Sequence, residues 1–149
     1  MMPAAPLSGV SAFAASPSPL RPLDPAQEKV VAQLQATDRK VRAHEAAHLA
    51  AAGGLARGGA AFSYTQGPDG RSYAVAGEVS IDTSPVQGNP AATLAKAQQI
   101  VAAAMAPADP SPQDRSVAAA ASAMAAQAQR DLERTRAARP AGGGLDLTA

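Results

Sequence analysis

The stretch "VRAHEAAHLAAAGG", Val41 to Gly54, holds both histidines of the chain, His44 and His48, with Glu45 directly after the first. Alanine fills most of the remainder, and alanine is the strongest helix former. Gly53 and Gly54 follow as a C-terminal stop. On such a helix, residues four apart lie on nearly one face, with Cβ atoms about 5–6 Å apart. Val30, Leu34, Val41, His44 and His48 share that face, so the histidines are expected to point inward. The helix starts at Asp24, an N-cap with Pro25 in the first position and Gln27 completing a capping box. Around Thr37 and Asp38 it is expected to bend or break.

His-Glu-x-x-His on a helix is a zinc-hydrolase pattern. Two imidazoles on one face reach a single metal at about 2.0–2.1 Å. Glu45 is turned aside, poorly placed as a ligand but well placed as the base for water whose pKa the metal lowers to about 7. One Zn2+ per chain is therefore expected. A third ligand is required, and the chain has no further histidine and no cysteine. Ala51 and Gly54 exclude the extension that supplies a third histidine from the same helix. Glu78 is the expected third ligand, with Asp82 as the alternative or as a residue orienting a histidine. Tyr64, Tyr73 and Arg71 are candidates to stabilise an oxyanion, although packing or a turn charge accounts for each more simply.

Both carboxylates fall in "AAFSYTQGPDGRSYAVAGEVSID", which reads as a hairpin with its turn at Gly67–Gly70. Period-two alternation puts Tyr73, Val75, Val79 and Ile81 on the face that packs on the helices. It puts Ala74, Ala76, Glu78, Ser80 and Asp82 on the other. "GGLARGG", Gly53 to Gly59, is a flexible connection into the hairpin. Two more helices follow. Asn89 and Pro90 start the first, with Leu94, Ala97, Val101, Ala104 and Met105 inward. Ser111 and Pro112 start the second, with Val117, Ala121, Met124, Ala128 and Leu132 inward. The expected fold is α+β and mainly helical. A Pro/Ala/Ser-rich disordered leader (1–23) precedes a zincin-like catalytic domain (24–138), and a flexible tail (139–149) follows.

A formal charge of +1 and 3% aromatic residues, with no tryptophan, argue against a nucleic-acid partner. No apolar run approaches a membrane span. The leader has no basic residue before Arg21, unlike a signal peptide, which favours the cytoplasm and leaves export open. Oligomeric state is not legible.

"DRKVRAHEAAHLAAAGG", "YTQGPDGRSYAVAGEVSIDTS", "NPAATLAKAQQI" and "APADPSPQDRSVA" together resemble the SprA-related family, a bacterial family described as metalloproteases. The resemblance covers roughly residues 38 to 120. It implies helices around a short hairpin, zinc on His44 and His48, and Glu45 as the catalytic residue. The reading is thus a metallopeptidase acting on a peptide or protein substrate. Two others compete with it: a non-catalytic domain with a structural metal site, and a helical interaction module of an envelope or flagellar assembly.

Overall fold

The computed structural model describes residues 21–139. The leader and tail expected from the sequence lie almost wholly outside them. Helix α1 spans Pro25–Ala52, strands β1 and β2 span Ala61–Gln66 and Ser72–Glu78, and helices α2 and α3 span Pro90–Ala104 and Pro112–Ala138. The result is the expected mainly helical α+β fold with a two-stranded antiparallel hairpin.

All three helices start by one device. A side-chain oxygen accepts an amide of the first turn: Asp24 from Gln27, Asn89 from Ala92, Ser111 from Asp114. A proline follows each cap, where a missing N–H costs nothing. The break expected near Asp38 is absent, and α1 runs unbroken for 28 residues. The reason lies across the fold. Asp38 Oδ1 accepts the Ala74 amide of β2 at 2.8 Å, and Oδ2 pairs with Arg42 at 2.9 Å. A carboxylate occupied in this way does not compete for its own backbone.

The hairpin turns at Gly67–Gly70, where Gly70 adopts φ +77° and its amide donates to the Gly67 carbonyl. A bulge interrupts the ladder. Tyr64 pairs with Ala74 and Ser63 with Ala76, which leaves Val75 as the extra residue. A bulge shifts which side chains face inward. Tyr73 and Ala74 are both buried, and Val75 is exposed instead of packed on the helices. The ladder ends at Glu78, earlier than expected. Ile81 pairs instead with Ala56, tying the glycine-rich segment back to the chain after β2.

α1 packs on β2 and α2, and α2 packs on α3. Ala52, Ala74, Ala97 and Ala103 are completely buried, and Ile100 is the one large side chain fully buried among the described residues. Alanine permits close helix approach but removes little apolar area from water. The buried stripe of α2 is turned by one position from expectation. Thr93, Ala97, Ile100 and Ala104 are buried, and Met105 is exposed. The Thr93 hydroxyl is drawn in by hydrogen bonds to the backbone of Val86 and Asn89. On α3, Ala118, Ala121 and Ala128 are the buried residues, and Val117 borders a cavity. Val30, expected inward on α1, is exposed. No described helix is long and apolar enough to cross a membrane.

Candidate metal centre

α1 delivers His44 and His48 to one point, with their Nε2 atoms 3.1 Å apart. The first turn of α3 supplies the third donor, Asp114. Its Oδ2 lies 3.2 Å from His44 Nε2, and its Oδ1 lies 3.2 Å from His48 Nε2. These three residues are the one group of metal-capable side chains this close together among the described residues, with one donor atom from each inside 4.8 Å.

The donor set, two imidazoles and a carboxylate, suits a divalent metal ion such as zinc. His48 Nδ1 stands 2.9 Å from the Ala103 carbonyl. A carbonyl only accepts, so Nδ1 donates to it, and Nε2 is the atom left to bind a metal at the cluster. This is the arrangement in which a second partner fixes the tautomer of a ligating histidine. Two nitrogens bound to one tetrahedral zinc stand roughly 3.3 Å apart, close to the spacing here. With three protein donors, a metal held here would keep room for water or substrate as a further ligand.

Asp114 serves two purposes. As the third residue of α3 it accepts the Ser111 amide at 2.7 Å, closing the capping box. Burial pushes its pKa up, but the hydroxyl and amide of Ser111 and the fields of both histidines outweigh burial. The net shift is downward, which favours the ionised form a metal requires.

Glu45 is 3% exposed and has a different environment. Burial raises its pKa, the charges of Asp114 and Glu78 add to the rise, and both histidines oppose it. Its side chain and those of the cluster wall a cavity of about 340 Å³, with Gly77, Glu78 and Val117 among the other walls. Gly77 makes room for it. A Cβ at position 77 would stand 2.6 Å from Glu45 Cγ and 2.8 Å from Oε1. Its φ is not positive, so space rather than backbone conformation calls for glycine there.

The model of the SprA-related family matches residues 23–140. The chain belongs to the SprA-related family. No curated protein and no solved structure matches it. In this SprA-related chain the match spans all three helices and the hairpin, and it includes every residue of the cluster.

The structure brings His44, Glu45 and His48 together as the sequence led one to expect, and it changes their company. Glu78 borders the cavity but is not part of the three-donor cluster, where Asp114 stands instead. Asp82 does not border the cavity. Its Oδ1 takes Arg57 and Ser84, and its Oδ2 takes Lys96 at 2.9 Å. Those partners, Ser84 first and then Lys96, hold its pKa far below the usual carboxylate range. The carboxylate is committed to these cations and stands apart from the metal-capable cluster.

Tyr64, Tyr73 and Arg71 are not walls of the cavity either. Tyr64 is exposed on β1, Tyr73 donates from its hydroxyl to Asp69, and Arg71 stands beside Asp69 at the turn. Asp114 escaped the sequence reading because "SPQD" is fully explained as a helix start. The available signal was an acidic residue at that start with no glutamate better placed.

Proposed function

We propose that this SprA-related chain is a zinc-dependent hydrolase, and specifically a metallopeptidase. His44 and His48 would hold the metal through Nε2, and Asp114 through a carboxylate oxygen. Bound there, zinc supplies a Lewis acid that polarises a carbonyl and lowers the pKa of water to about 7. The protein side chains do the rest. Glu45 accepts the proton of the attacking water and returns it to the leaving amine nitrogen. Its raised pKa suits both transfers, since a proton carrier works best when its pKa approaches the working pH. The Ala103 carbonyl keeps His48 in the ligating tautomer.

The observation that carries the reading is Glu45. Its carboxyl makes no hydrogen bond to the described residues and borders the cavity, where its shift comes from burial and neighbouring charges. Gly77 makes the room that admits it. A purely structural site would need no such residue.

A structural metal clip is the second reading, and one observation favours it. α1 packs on α2 and α2 on α3, while α1 and α3 are joined by the cluster itself. Cleavage of a peptide library by the untagged protein, with and without a chelator, separates the two. Glu45→Gln should keep its zinc and lose about 10²–10⁴-fold in rate. Full activity in Glu45→Gln would refute Glu45 as the base, whereas a parent protein that binds the metal and cleaves nothing would leave the clip.

A further inference from the structure

A second depression, of about 350 Å³, lies beside the cluster cavity and shares Thr83, Gln113 and Val117 with it as walls. It continues along α3 past Ser116 and Ala120 to Met124. Positions 113, 117, 120 and 124 recur at three- and four-residue spacing, so they form one strip of helix surface. From Gln113 to Met124 the helix rises about 16 Å. That is the reach of roughly five residues of extended chain at about 3.3 Å each.

The walls of this depression carry no charge. The charges of α3, such as Arg115, Arg130 and Asp131, lie elsewhere on the helix or beyond Met124. A charged side chain seated here meets no wall of opposite charge to pair with it. The walls are also low, since Ser116 and Ala120 project little beyond the backbone. Bulk therefore meets no deep pocket.

We propose that this strip seats the substrate on one side of the bond to be cut. Its occupant is an extended peptide segment of about five uncharged residues, mostly small or unbranched apolar. The assignment rests on the hydrolase reading for its role in cleavage, but the seat is tested by binding alone. The strip begins at Gln113 and Val117, which also wall the cluster cavity, so a chain lying along it enters the site end-on.

The test uses the full chain carrying Glu45→Gln, loaded with zinc, to select from a random dodecapeptide library. The expected winners hold a run of about five uncharged residues. Adding Ala120→Glu should shift one position of that run towards Lys or Arg, and Ala120→Lys should shift the same position towards Asp or Glu. The preference should be about two- to fivefold, as for an exposed ion pair. Ala120 is exposed on α3 and both replacements are good helix formers, so folding is retained. The pair Ser116→Glu and Ser116→Lys repeats the test one turn nearer the cluster. Identical selections from all variants overturn the seat. So does a charged run chosen by the parent, a failure to select any peptide, or self-association through the strip in place of peptide binding. Charge-swapped selection by a protein whose native form cleaves nothing would uphold the seat and refute the hydrolase. Cleavage with preferences unmoved by the variants would do the reverse.

Discussion

Glu45 and Gly77 share one volume, and each limits what the other can be. A methyl at position 77 would fall 2.6 Å from Glu45 Cγ, well inside contact distance, so Gly77→Ala must push the carboxyl aside or shift β2. Overpacking of this kind costs about 1–3 kcal/mol. The expected Gly77→Ala protein melts lower, keeps its zinc because no ligand has moved, and hydrolyses peptides more slowly. Calorimetry, metal analysis and rate measurement together check this, and an unchanged rate in the Gly77→Ala protein would remove Gly77 from the account. At this scale the sequence was legible where chemistry repeats at fixed spacing. His44, Glu45 and His48 announce themselves on one helix. Gly77 does not, because its importance comes from a residue 32 positions away, and Asp114 does not, because it lies far along the chain from the histidines, in a helix start that Ser111 and Pro112 already explain.

The helix starts and the hairpin turn were legible because caps, prolines and turn glycines act locally. The failures at the level of elements came from contacts across the fold. Asp38 reads as a break but is claimed by the Ala74 amide, and Val75 reads as core but is displaced by a bulge. α3 shows how an element start becomes part of a site: Ser111 caps the helix and also fixes the Asp114 carboxylate. Ser111→Ala keeps the main-chain amide that holds the carboxylate but loses the hydroxyl beside it, so it should cost about 0.5–2 kcal/mol of stability and weaken zinc binding by no more than about 10-fold. A melting curve and a zinc titration on one variant test both halves, and loss of stability with unaltered zinc affinity would separate cap from site. Asp82 joins elements in another way, through Arg57 and Lys96. Its folded pKa is depressed, so its contribution to stability is complete above the ordinary aspartate value of about 3.9. It is lost as pH falls below that value. Asp82→Asn should be less stable than the parent at neutral pH, with the difference shrinking as pH falls from about 4 towards 2. A gap that stays constant through that range would show that the carboxylate charge plays no part.

Across the whole molecule, the cluster stands where α1, arriving with two histidines, meets the start of α3. The intervening hairpin and α2 bring these ends together, α2 also supplying the Ala103 carbonyl that orients His48. An alanine-rich core with few large buried side chains gains folding free energy from any ligand that binds only the folded arrangement. The account's central claim is that zinc sits on His44, His48 and Asp114. Its most direct test is the zinc content of the untagged chain, measured beside Asp114→Ala and Glu78→Ala. The account expects about one zinc per chain in the parent, close to that in Glu78→Ala, and little or none in Asp114→Ala. A parent without zinc, or an Asp114→Ala protein that keeps the metal while Glu78→Ala loses it, would contradict the account.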